Sequence, residues 1–127
     1  MVHSAWWAKN RGGLLKIRSS GINLWIYTTS FRSEKYIKRL FKCYGIQIDN
    51  IINGARHQQE VQKDKIEPMP SKYPSYYRID LHVDDDITVA QNGKQFGFKV
   101  VLLKGNDLNW YMELWKEIVK INQSKNQ

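Results

Sequence analysis

Ile22-Asn23-Leu24-Trp25-Ile26-Tyr27-Thr28-Thr29-Ser30 is the stretch on which the fold turns. Its apolar run is preceded by Gly21 and followed by three hydroxyl residues, which marks a short strand buried on both faces. Ser33 then offers a cap for a helix in which Ile37, Leu40, Phe41 and Tyr44 fall at i, i+3, i+4 and i+7. Gly45 stops that helix. Strand, hydroxyl-rich turn and amphipathic helix in succession form the opening of an α/β unit.

The same alternation continues outward. Upstream, Gly12-Gly13 precedes a short helix carrying Leu14, Leu15 and Ile17, which ends near Ser19-Ser20-Gly21. Downstream, residues 46–52 read as a second strand, closed by the turn pair Asn53-Gly54. Residues 55–75 carry three prolines and many charges and read as a long surface loop with at most one helical turn. Loops of that length in compact domains tend to border a site. Residues 79–83 form a third strand ending in Asp84-Asp85-Asp86, and residues 98–103 a fourth. A final helix begins near Asp107, with Leu108, Tyr111, Met112, Trp115, Ile118 and Val119 on one face. This order predicts a Rossmann-like parallel sheet with helices on both faces. A single domain over residues 1–127 is expected: an atypical amino-terminal segment (1–21), an α/β core (22–121) and a polar tail (122–127).

Composition narrows the class. The chain has 127 residues, 42% hydrophobic and 25% charged, an ordinary globular balance. Twenty Lys and Arg against twelve Asp and Glu give a net charge of +8, which favours phosphate-bearing partners. Cys43 is the only cysteine, so neither an internal disulfide nor a Cys-based zinc site is available. His3, His57 and His82 lack metal-ligand spacing, which argues against zinc. Cys43, beside the apolar stripe of its helix, reads as a partly buried thiol, and His82, alternating with apolar neighbours, as a packed histidine. No apolar run reaches membrane-spanning length and the first residues do not form a signal sequence, so a cytoplasmic location is expected.

In parallel sheets ligands bind beyond the carboxyl ends of the strands, so the residues after each strand carry the chemistry. Thr28, Thr29 and Ser30, with backbone N–H groups and a helix start nearby, suit a phosphoryl group, and Arg32 is a further ligand-binding candidate. Asp84 and Asp85 supply hard oxygens suited to Mg²⁺. Lys72, in Lys72-Tyr73-Pro74, offers a point charge to the same group. Hydroxyl, cation and metal ligands are thus expected to converge.

A hydroxyl residue after one strand, then a lysine, then paired Asp after a later strand resembles the haloacid dehalogenase-like (HAD) superfamily, over residues 22 to about 120. The resemblance implies a Mg²⁺-dependent phosphatase or hydrolase-type domain. It maps Thr28 onto the phosphoryl-binding hydroxyl of the second motif and Lys72 onto the lysine of the third, with Lys63 and Lys65 as nearby alternatives. Asp84 and Asp85 fall on the acidic pair of the fourth, Asp85 being the stronger metal candidate. The family's first motif, Asp-x-Asp, supplies the nucleophile and should precede Thr28, yet the 27 residues before Thr28 contain no Asp or Glu. The implied reading is a relative without its first, central strand, through amino-terminal truncation or decay. It would bind Mg²⁺ and a phosphate-bearing small molecule with impaired catalysis and a tendency to self-associate.

Each feature has a plainer role beside it. Thr28-Thr29-Ser30 could end a strand and cap a helix, Asp84-Asp85-Asp86 could sit at a helix amino end, and Lys72, Arg32 and Arg56 could face water. His57 is better placed than His82 to meet a ligand. A two-component receiver domain has the same residue types in the wrong order. The serious alternative is a non-catalytic basic module binding nucleic acid or protein, because five Trp, seven Tyr and four Phe accompany the positive charge. Against it, many of those aromatics sit at core-type positions and the basic residues are dispersed.

Overall fold

The computed structural model describes residues 11–103 and 110–125. Residues 1–10, and with them His3, lie outside that range, as do Asp107, Leu108 and the last two residues of the polar tail. The chain divides into two compact units between Pro68 and Met69.

The first unit carries helix α1 (Arg11–Ser19), strand β1 (Trp25–Tyr27), helix α2 (Glu34–Cys43), strand β2 (Asn50–Ile52) and a short helix α3 (Gly54–His57) that continues as a π-helical turn (Gln58–Gln62). Strands β1 and β2 pair in parallel with Trp25 opposite Asn50, Ile26 opposite Ile51 and Tyr27 opposite Ile52. One rung lies beyond each end: Asp49 N–H donates to Leu24 O and Thr28 N–H to Ile52 O, both at 2.9 Å. The Ser33 hydroxyl caps α2 by accepting from Tyr36 N–H, and Gly45 leaves the helix at φ +70°. Ile37 and Phe41, one turn apart, are its buried residues, in a core shared with Leu14, Ile17, Ile26, Ile51 and Ile52. Burying each such side chain contributes roughly 1.5–3 kcal/mol.

Two expectations are corrected in this unit. Cys43 is exposed rather than partly buried, because two residues after Phe41 a helix has turned about half a revolution away from its buried face. The stretch after Asn53 begins as helix rather than loop. The Asn53 side-chain oxygen accepts from Arg56 N–H, so the Asn-Gly pair starts a helix instead of reversing the chain. All three prolines come later, at Pro68, Pro70 and Pro74, and leave residues 54–62 free to coil.

The second unit holds a 3₁₀ turn (Pro74–Tyr77), strand β3 (His82–Asp84), helix α4 (Ile87–Phe96), strand β4 (Val100–Leu102) and helix α5 (Trp110–Lys125). Strands β3 and β4 are parallel, with His82 opposite Val100, Val83 opposite Val101 and Asp84 opposite Leu102. Helix α4 makes the crossover and lies close on the sheet. A Cβ on Gly93 would come within 2.6 Å of Phe98 O, so only glycine admits that approach. Val89, Phe98, Val101, Leu103, Trp110 and Leu114 are buried. Among the described residues the chain is therefore mixed α/β, with two parallel two-stranded sheets. No helix among them is long and apolar enough to cross a membrane.

Candidate functional site

The carboxyl edge of β1 and β2 collects the hydroxyl residues. Thr28 is only 1% exposed, and its Oγ1 accepts from Ser30 N–H at 3.1 Å. Ser30 Oγ in turn accepts from Arg32 N–H at 3.2 Å. These hydroxyls fold their own loop back on itself, whereas the cap of α2 is Ser33. Strand-ending and helix-capping are thus separate jobs here.

Asn53 and Gly54 pin this loop from the neighbouring strand. Gly54 N–H donates to Ser30 O at 2.7 Å, and Asn53 Nδ2 donates to Arg32 O at 3.0 Å. A Cβ on Gly54 would sit 2.6 Å from Thr29 O and 2.9 Å from two ring carbons of Phe31. The sequence marks Asn53-Gly54 as a turn and gives no sign of this clamp, because the contact is made across strands. Thr29 is exposed and Ser30 half-buried. Arg32 is exposed too, its guanidinium 4.7 Å from the Tyr36 ring centroid and donating to the Tyr36 hydroxyl.

Two further residues near this edge are engaged. Tyr27, at the end of β1, shares a 2.5 Å hydrogen bond between its hydroxyl and His57 Nδ1. Arg56 is half-buried and engaged: Nη1 donates to Asn50 Oδ1 and Ile51 O at 3.0 Å, and Nε donates to Glu60. Arg56 buttresses β2 instead of offering a free cation. At the opposite end of β2, Glu34, Lys35, Lys38, Asp49, Asn50 and Ile51 line a shallow groove of about 290 Å³ that contains none of the hydroxyl residues.

The second unit assembles a buried charged group. Lys72 is 3% exposed and Asp84 1%. Lys72 Nζ donates to Asp84 Oδ2 at 2.5 Å, and His82 Nε2 donates to the same oxygen at 2.8 Å. Asp84 Oδ1 accepts from Asp86 N–H at 3.1 Å. Burial pushes the Asp84 carboxyl up, but the hydrogen bonds and positive charge of His82 and Lys72 outweigh it and hold the group well below the usual carboxylate range. A lysine solvated in its loop is ruled out by this burial. Lys63 and Lys65 are the exposed ones.

His82 is packed, as its alternation with apolar neighbours suggests, and it is also a ligand of Asp84. An ionised carboxylate only accepts, so His82 Nε2 must carry a proton in this contact. The sequence held a signal for it: His82 and Asp84 are two apart on one strand and so share a face.

The three consecutive aspartates take three roles. Asp84 is buried in the ion pair. Asp86 caps α4, its Oδ1 accepting from Thr88 N–H at 2.8 Å. Asp85, between them, is exposed. Among the described residues no three His, Cys, Asp or Glu side chains are grouped to hold a metal ion. Mg²⁺ commonly keeps several waters and takes one or two carboxylates, and of the two candidate ligands both Asp84 oxygens are engaged by Lys72, His82 and Asp86 N–H. Asp85 is the uncommitted hard oxygen donor, and Asp84 is the less available of the pair.

The chain matches no protein-family model, no curated protein and no solved structure.

Proposed function

We propose that the chain is a HAD-like domain of Rossmann-like architecture that binds Mg²⁺ and a phosphate-bearing ligand and turns the ligand over poorly. The observation that carries this reading is the buried contact of Lys72 Nζ with Asp84 Oδ2 at 2.5 Å. Two residues assigned to successive motifs by order alone, twelve positions apart, meet in the interior at the carboxyl end of a parallel strand. Buried ion pairs of this kind are costly to desolvate, and a role at a site is one reason to keep them.

In this reading the Thr28–Ser30 loop holds phosphoryl oxygens through its hydroxyls, the Thr28 and Ser30 N–H groups being taken by Ile52 O and Thr28 Oγ1, with Arg32 at the rim. Lys72 is a positive charge fixed in position by Asp84. Asp85, in the second unit, is the carboxylate that would hold Mg²⁺, whose contribution when bound is to neutralise negative charge. Positioning of this kind does not replace an attacking atom. Residues 1–27 contain no carboxylate, so an aspartyl intermediate has no nucleophile there.

Calorimetry with inorganic phosphate in millimolar Mg²⁺ tests the reading. Binding is expected, weakened by Thr28→Val and by Asp85→Asn, with negligible hydrolysis of a generic aryl phosphate. Fusing a strand bearing Asp-x-Asp ahead of the chain should create Mg²⁺-dependent hydrolysis. Phosphate binding indifferent to both substitutions would overturn the assignment. Tight, steeply salt-dependent binding of single-stranded nucleic acid without phosphate binding would replace it with the basic-module alternative.

A further inference from the structure

Phe31 is 67% exposed, yet it is held in place. It lies three residues beyond Thr28, at the carboxyl edge of β1 and β2, with one ring edge against the backbone of Gly54. The chain on either side is fixed: Ser30 O accepts from Gly54 N–H at 2.7 Å, and Arg32 O accepts from Asn53 Nδ2 at 3.0 Å. With its backbone pinned, the ring is presented outward at this edge. An apolar ring kept in water next to a loop of hydroxyl residues loses burial energy that the fold could otherwise gain.

Arg32 extends the same surface. Its guanidinium is held by a neutral partner, stacked 4.7 Å from the Tyr36 ring centroid and bonded to the Tyr36 hydroxyl. Among the described residues it makes no ion pair, so its charge is available to an anion. An exposed aromatic ring, a cation and three hydroxyl residues then lie within five consecutive residues, 28–32.

We propose that Phe31 is a stacking platform for the aromatic part of the ligand, so that the phosphate esters held at this edge are aryl or nucleoside monophosphates rather than small aliphatic ones. This deepens the reading of Thr28–Ser30 as the phosphoryl-binding loop and rests on it. Stacking on a fixed ring costs little ordering entropy, and base-on-aromatic stacking commonly strengthens binding by about tenfold or more.

The experiment is a calorimetric comparison, on the full chain, of adenosine monophosphate, glycerol phosphate and inorganic phosphate. Adenosine monophosphate should bind about tenfold more tightly than glycerol phosphate. Phe31→Ala should remove that advantage while leaving inorganic phosphate and the melting midpoint little changed, and Phe31→Trp should retain it. Equal affinity for the two esters, or a Phe31→Ala loss shared by all three ligands, would overturn the platform while Thr28-sensitive phosphate binding survived. An oligonucleotide without a terminal phosphate that binds as tightly as the monophosphate would overturn it too. Absence of any phosphate binding would overturn both readings.

Discussion

Replacing Lys72 by Met keeps the stem of the side chain and removes its charge, leaving the Asp84 carboxylate 1% exposed without its nearest cation. Opposite unit charges 2.5 Å apart attract by roughly 6–7 kcal/mol at an effective dielectric of about 20, before desolvation is counted. Breaking a buried pair by removing one partner typically costs ~3–5 kcal/mol. Asp84 keeps His82 at 2.8 Å and Asp86 N–H at 3.1 Å, so the lower end, about 3 kcal/mol at pH 7, is expected. With a urea m-value of ~2 kcal/mol/M, the unfolding midpoint should fall by about 1.5 M. The pH dependence supplies the control. In the parent chain the Asp84 carboxyl is held below its ordinary value of 3.8, so its stabilisation is fully present above that pH and is lost as pH falls through the folded value. Without Lys72, burial has less to oppose it and the carboxyl takes up a proton at higher pH. The deficit of Lys72→Met should then be smaller in acid, once the variant's carboxyl is protonated, than at pH 7. A loss below ~1 kcal/mol at pH 7 would place the pair among solvated surface bridges and refute the burial reasoning. So would a deficit that does not change with pH.

Other substitutions separate the roles of neighbouring residues. Asp86→Ala should cost ~1 kcal/mol by removing the cap of α4, measured by thermal melting, and leave any response to Mg²⁺ intact. Asp85→Asn should change stability by less than ~0.5 kcal/mol, and if the proposed Mg²⁺ binding raises the melting temperature, the substitution should abolish that rise. Gly54→Ala should cost ~1–3 kcal/mol, because its Cβ would press on a backbone oxygen 2.6 Å away, with phosphate affinity falling as the Thr29–Phe31 loop is displaced. Cys43, being exposed, should react with a thiol reagent in the folded protein without prior unfolding.

Helix α2 was the most legible element, since Ser33, the Ile37–Phe41 spacing and Gly45 each state one fact about it and agree. The strands were legible in position and not in length. Residues 22–27 and 46–52 read as strands over their whole lengths, yet pairing requires a partner in register, and only Trp25–Tyr27 and Asn50–Ile52 face each other. Periodicity reports which residues want burial and says nothing of where a ladder begins. Residues 55–75 show the converse failure. Charge and proline content made the whole segment look like loop, although the helix-starting side chain, Asn53, stood just before it and the prolines lay beyond its helical part.

The site was legible in its residue types and not in their division of labour. Asp84-Asp85-Asp86 reads as one acidic cluster, but a strand alternates its side chains and ends where the helix cap begins. Asp84, inward on the last strand position, had to find a cation or lose its charge, and Lys72 and His82 meet that need. Asp86, at the start of α4, was claimed by the backbone N–H of Thr88. Asp85 and Asp86 both reach solvent, but the cap engages Asp86, which leaves Asp85 the uncommitted carboxylate of the three. The same logic holds at the other edge, where Ser33 takes the capping duty and leaves Thr28 and Ser30 to shape the loop that sets Phe31 in water. A binding residue in such a chain is recognised less by its type than by the structural task that the residue beside it has already taken over.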